Sequence, residues 1–422
     1  MSWRTTIRRA VSQTSTPRRS AARRAVASAI LLPLAFSLTS CTRDYTVAYL
    51  YATATSASGA GVVNEYLVDY QSGALVAASG SPVKAGNNPV KLVTSPNGLF
   101  VYVVNQGDST VQEFAVNAAN GTLSSKNTYK TGSAPTSAAI DVAGKFLYVT
   151  YTYQSGYSAT NPGPGGINIF PINSDNSLGT ATSVNIGNNP VGIVTSNFSN
   201  YVYVVDQEPA SGTSAQHGVI LGFSQNTSTG ALTPATGTTI TTDSTGKTVA
   251  TGYGAGTVPS AIAIDPTARF VYVTDRSTNQ LYGSGVQAGG RLTPMTNSPF
   301  ATGLLPVSIT IDPRGLYLYV ANFNSNTVGA YVIDQATGAA VGSVGSGSTQ
   351  VGTGPSCVAI DPALGVYLYT ANNLDNTITG QKLDSHNGGL KAIENTPFPA
   401  SGLPTCVASV ANGSHATQIV VP

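Results

Sequence analysis

Pro306-Val-Ser-Ile-Thr-Ile-Asp312-Pro313-Arg-Gly315-Leu-Tyr-Leu-Tyr319-Val-Ala-Asn322 is the stretch on which the reading of this chain turns. It is a hairpin written in sequence. Side chains of a strand alternate between two faces, so Ile309 and Ile311 share one face of the first half. Asp-Pro-x-Gly is turn chemistry, because Pro fixes φ and Gly accepts φ > 0. Tyr317, Tyr319 and Ala321 then alternate with Leu318 and Val320 on the return strand.

The unit recurs. Pro259 to Asp275 repeats it with Ile262, Ile264 and Tyr272 in the same places. The leading proline appears at Pro89, Pro135, Pro190, Pro259, Pro306, Pro355 and Pro404. A tyrosine follows at Tyr102, Tyr148, Tyr203, Tyr272, Tyr319 and Tyr369, where Leu364 is an extra residue. A third strand comes next, as in Thr110–Val116 and Thr327–Ile333, and then a Gly-containing turn into a short fourth. Repetition at this period, with four antiparallel strands per unit, describes propeller blades. The first unit, around Tyr49 to Leu75, lacks a leading proline strand. The last proline strand, Leu403 to Val410, lacks a blade behind it. Each end supplies what the other is missing, and joining them removes an exposed sheet edge. The expected fold is therefore all-β, a seven-bladed propeller of four-stranded blades closed by its two chain ends. Gln418–Val421 leaves two closures open, with one C-terminal strand or two. No composition shift divides the body, so residues 47–422 read as one domain and as a monomer.

The N-terminus differs in kind. Residues 1–40 hold seven arginines and no acid, and the last arginine, Arg24, is followed by an apolar run from Ala25 to Leu38 that Pro33 interrupts. A basic stretch before a short apolar run reads as an export signal. Leu38-Thr39-Ser40-Cys41 is similar to a bacterial lipobox, in which Cys41 would receive the lipid, with 41–46 as a short tether. The expectation is an exported protein anchored to the cell-envelope membrane. Without the leader, 13 basic residues face 18 acidic ones. A mildly acidic body lacks the basic footprint that nucleic-acid binding needs. Charged residues are 9% of the chain, which suits turn-rich β-structure better than helical surfaces.

The units Ile311–Asn322 and Ser95–Asn105 resemble the propeller lactonase family, which includes propeller-type 6-phosphogluconolactonase, and are similar to YVTN-repeat surface proteins. The resemblance covers nearly all of the body. It implies the propeller fold, and it implies hydrolysis of a sugar lactone as one activity. Members of that family frequently carry histidine directly after the repeat proline. Here those positions hold Val90, Thr136, Val191, Ser260, Val307, Ser356 and Thr405.

In a propeller, the loops between blades share a face with the loops joining second to third strands. The longest insertions fall there: Thr152–Gly166 in blade 3, Gln207–Gly218 in blade 4, and Thr233–Val258 between blades 4 and 5. Long loops on a rigid scaffold are where binding concentrates. The candidate ligand-binding residues are Tyr151, Tyr153, Tyr157, Asp206, Glu208 and Tyr253, with Asp275 and Arg276 in a blade-5 loop. Aromatic rings with a few polar groups suit a glycan, a lactone ring or a protein partner. Asn105, Tyr151, Asp206, Asp275, Asn322 and Asn372 hold the equivalent place, three residues after the repeat tyrosine. Such side chains commonly satisfy loop backbone groups. Lactone hydrolysis needs a base, and His217 is the candidate, alone of three histidines on that face. Its spacing from Asp206 and Glu208 matches no strong metal motif, so no metal or cofactor is expected. Cys357 and Cys406 both lie two residues after a repeat proline, in adjacent blades, and read either as a disulfide or as two buried thiols.

Overall fold

The computed structural model describes residues 45–420 apart from residues 57, 209–216, 343–346, 414, 416 and 417. Cys41 and the basic leader lie outside the described residues.

The quoted stretch folds as read. Pro306–Ile311 pairs with Tyr317–Asn322, which pairs with Thr327–Ile333; the outer edge is made by two short pieces, Ala340–Gly342 and Ser348–Gln350. The second strand is buried throughout because its two faces meet different neighbours. Leu318 and Val320 pack with Tyr272 and Leu281 of blade 5, while Tyr319 and Ala321 pack with Val358 and Leu368 of blade 7. Seven such sheets make the ring. Blade 1, the closing blade, takes its inner strand from Leu403–Ala411 and its other strands from Thr46–Thr55, Gly61–Asp69 and Leu75–Ala77. Closure is thus one C-terminal strand with three N-terminal ones. Gln418–Val420 forms no strand. The Val420 N–H donates instead to the Leu364 carbonyl, and Arg314 Nη1 donates to the Val420 carbonyl.

The repeat tyrosine ties each blade to the next. Tyr102, Tyr148, Tyr203, Tyr272, Tyr319 and Tyr369 donate their hydroxyls to the carbonyls of Asn176, Gly230, Gly290, Gly338, Gly388 and Gly73. Tyr51 completes the circle on Gly121, at 2.8 Å. Each acceptor is the left-handed residue of the turn leading to a fourth strand, with φ between 65° and 76°. Only a tight left-handed turn brings that carbonyl so close, which explains the Thr-Gly and Asn-Gly signatures.

A second regularity was not legible in the repeat. In all seven blades the residue after the proline is skipped in the ladder, for example Val307 between Pro306 and Ser308, and Thr405 between Pro404 and Cys406. Such a bulge re-aims its side chain.

Candidate functional site

The inner strands surround a channel of about 1010 Å³. Its lining runs from the bulge residues down to Pro96, Val142, Phe198 and Pro266 beside the Asp-Pro-type turns. Val142 and Phe198 are exposed there. This cavity therefore reaches the face opposite the long insertions.

The bulged hydroxyls explain why this ring carries little chemistry. Thr136 Oγ1 donates to the carbonyl of Pro190 in the next blade, Ser260 Oγ to Pro306, Ser356 Oγ to Pro404, and Thr405 Oγ1 to Pro89, at 2.5, 2.6, 3.0 and 2.6 Å. Val90, Val191 and Val307 have no hydroxyl, and in the first two of these blades a glutamine at or just past the end of the second strand substitutes. Gln106 Nε2 donates to the Pro135 carbonyl at 3.4 Å, and Gln207 Nε2 to that of Pro259 at 2.5 Å. These polar groups are engaged in joining blades.

Two residues after the proline, most blades present small side chains: Ser137, Gly192, Ala261 and Ser308. Three consecutive blades depart from this. Blade 7 presents Cys357, the closing strand Cys406 and blade 2 Lys91, and all three line the channel. The cysteines are free and buried. The interaction between the two thiols pushes Cys357 above its ordinary range, with burial acting in the same direction. The same interaction pulls Cys406 below its ordinary range; Lys91 adds to this and burial opposes it. Lys91 is in turn held above its usual value, chiefly by Cys406. The sequence signal for Lys91 was available. It is the one cation among the seven equivalent positions, but it lies far from both cysteines along the chain.

Two of the three insertions, Thr152–Gly166 and Thr233–Val258, meet; most of the blade-4 insertion lies outside the described residues. Lys247 Nζ sits 5.8 Å from the centre of the Tyr157 ring, and Gln154 Nε2 reaches Thr248 Oγ1 at 3.5 Å. Tyr153 and Tyr157 are half-buried beside this contact. Tyr253 is half-buried and donates its hydroxyl to the Thr236 carbonyl. His217 is exposed at the start of the third strand of blade 4, paired with Glu208, and is not part of the channel lining. Arg276 is also exposed. The Glu208 side chain lies outside the described residues.

Three candidates need correction. Tyr151, Asp206 and Asp275, expected to meet a ligand, are buried; they are 4%, 0% and 0% exposed. Tyr151 packs against Gly132 and Gly166. Asp275 accepts the N–H groups of Thr257, Val258 and Ser277. Burial pushes its carboxyl up, but these bonds and the Ser277 hydroxyl outweigh it and hold the group below the usual carboxylate range. Asn322 and Asn372 act alike, donating to Thr327 and Thr377 while a loop glycine presses on the amide. Asp275 and these amides are fasteners between strand end and inter-blade loop. Among the described residues, no three His, Cys, Asp or Glu gather where they could hold a metal ion.

A family model described as a lactonase, seven-bladed β-propeller, matches residues 49–192 and 216–359. The structure of a candidate 6-phosphogluconolactonase from Bacteroides uniformis aligns with TM-score 0.67 and 21% identity, over 87% of this chain and 100% of that one. The periplasmic gluconolactonase of Pseudomonas aeruginosa aligns with TM-score 0.67 and 18% identity, over 87% and 100%. No curated protein matches. At these identities the structural likeness is one of fold.

Proposed function

The chain belongs to the lactonase family of seven-bladed β-propellers, and from that premise we propose that it is a lipid-anchored envelope protein that binds a glycan or similar small polar ligand on the face carrying the blade 3–4 insertions. The observation that carries this reading is the contact between insertions. The loop of blade 3 and the hairpin Thr239–Thr251 converge through Tyr157, Lys247, Gln154 and Thr248. They form a lip of half-buried tyrosines beside a cation, and an aromatic face with adjacent polar groups is what a sugar ring needs. The leader supports the anchor, since a basic stretch, an apolar run and Cys41 stand in the order that lipoprotein export uses.

Glycan-array screening followed by calorimetry tests the ligand. Tyr157→Ala should weaken the selected ligand at least tenfold with an unchanged melting temperature; an unchanged affinity sinks the proposed face. Metabolic fatty-acid labelling tests the anchor, and label surviving Cys41→Ser sinks it.

A second reading is hydrolysis of a sugar lactone, favoured by the family. His217 would then be a remote choice of base, because it stands outside the channel. Turnover of a lactone panel that survives His217→Ala would support an enzyme whose base is not His217, and turnover lost with it would restore His217.

A further inference from the structure

Cys357, Cys406 and Lys91 occupy the same step of three neighbouring inner strands, Pro355–Ile360, Leu403–Ala411 and Pro89–Thr94. The closing strand lies between the other two. Both sulfurs stand 3.8 Å from the Val407 carbonyl oxygen, and the Val407 N–H donates to Cys357 Sγ at 3.2 Å. Cys406 therefore has the strand of Cys357 on one side and that of Lys91 on the other, and the Lys91 charge favours its thiolate. The two residues are 5% and 3% exposed, and both are part of the channel lining.

This is a composite feature. A thiol alone in an apolar strand packs as a small hydrophobe. Here two free thiols share one carbonyl, and a lysine stands on the strand next to that of Cys406, so the ammonium charge that favours a thiolate falls on Cys406 first. The second sulfur donates to the same carbonyl as the first, which holds the two thiols on either side of one backbone group. Buried in the channel wall, the thiols are withdrawn from a protein surface, and the channel volume of about 1010 Å³ has room for a small molecule.

We propose that Cys406 and Cys357 form a thiol–disulfide exchange site, with Cys406 as the attacking sulfur, Cys357 as the resolving sulfur, Lys91 as the charge sustaining the thiolate, and small disulfides as substrates. The Cys406 thiolate attacks one sulfur of a disulfide RSSR, forming a mixed disulfide and releasing RS⁻. Cys357 gives up its proton to that RS⁻ and attacks the Cys406 sulfur, expelling the second RS⁻. The pair is oxidised by two electrons, and RSSR is reduced to one thiol and one thiolate. The resulting bond joins blade 7 to the strand that closes the ring, where the chain is otherwise held non-covalently. The assignment is independent of the ligand proposed for the insertion loops.

The test uses the reduced, purified chain and oxidised glutathione at neutral pH, quenched by alkylation and read by peptide mapping. The expected product links Cys357 to Cys406 and retains no glutathione. Two alkylated thiols after prolonged incubation, or glutathione held stably on the wild type, would overturn the proposal. Cys357→Ser should instead trap glutathione on Cys406, and Cys406→Ser should slow modification at least tenfold. Lys91→Met separates charge from packing. A rise of about one unit in the Cys406 pKa cuts the thiolate fraction about tenfold below both pKa values, while nucleophilicity grows about threefold. The variant should therefore react about threefold slower at acidic pH and about threefold faster at strongly alkaline pH. A uniform change at every pH would remove Lys91 from the site. The wild-type product decides the main point even where a variant fails to fold.

Discussion

Replacing Gln207 by leucine tests whether the ring is held by a relay of hydrogen bonds through the bulges. Gln207 is 6% exposed, and its Nε2 is the donor that reaches the Pro259 carbonyl where Val191 supplies no hydroxyl. Gln207→Leu keeps similar volume and strands that carbonyl between blades 4 and 5. A buried acceptor left without a donor costs about 1–3 kcal/mol. For a body the length of Asp44–Pro422, the unfolding entropy is about 0.8 kcal/mol per kelvin. The melting temperature should then fall by about 1–4 K. The informative partner is Val191→Thr, which places a hydroxyl on the bulge as Thr136 and Thr405 do. Alone it should change stability by less than about 0.5 kcal/mol, because Gln207 already serves the carbonyl. Added to Gln207→Leu it should recover about 1 kcal/mol or more, a coupling that calorimetry of the four proteins measures as a cycle. Strict additivity, or a loss on adding threonine to the leucine variant, would refute the relay.

Three further outcomes follow from the same packing. Tyr203→Phe leaves the Gly290 carbonyl without its 3.0 Å donor and should cost about 1–2 kcal/mol in urea unfolding, whereas the half-buried neighbour Tyr201→Phe should cost less. Gly230→Ala forces a side chain onto φ +73° and sets its Cβ 2.5 Å from the Phe146 ring; about 2 kcal/mol or more should be lost, and a thermal melt within 1 K of wild type would contradict the turn assignment. Glu65 is buried, its Oε1 accepts the Leu123 N–H, and burial, opposed by that bond, holds its carboxyl above the ordinary value. A raised folded-state pKa means stability is full below the unfolded value and is lost as pH rises through the folded one. Glu65→Gln should therefore be near neutral at acidic pH and increasingly stabilising toward pH 8, and a gain confined to low pH would reverse the sign assigned here.

How far the residues disclosed this molecule depends on what each position has to distinguish. The hairpin at Pro306–Asn322 was legible because alternation, turn chemistry and period all demand the same structure, and the complementary ends at Tyr49 and Leu403 demand closure. Asp275 was ambiguous. A carboxylate at a strand end looks identical in sequence whether it faces a ligand or the amides of Thr257 and Val258; only Gly256, pressed against it from the loop, hints at the second case. Lys91 was hidden for a different reason: its partners are distant in the chain and become neighbours only when the repeats are laid in register around a closed ring. The bulge residue was the most deceptive. Read as a free position lining the channel, it looks like the place where chemistry was lost. In the folded ring, a hydroxyl there is a joint between blades, and a glutamine at the end of the second strand can perform the same task from outside the bulge. Val90 and Val191 stand in the blades where Gln106 and Gln207 have taken that task over. At those two positions a side chain of any chemistry can face the channel without loosening the ring, whereas at Thr136, Ser260, Ser356 and Thr405 function would compete with closure. A scaffold that separates the joint from the lining in only some blades can gain or lose a catalytic group there while the fold is unchanged, which is why membership of this family predicts the ring so much better than the reaction.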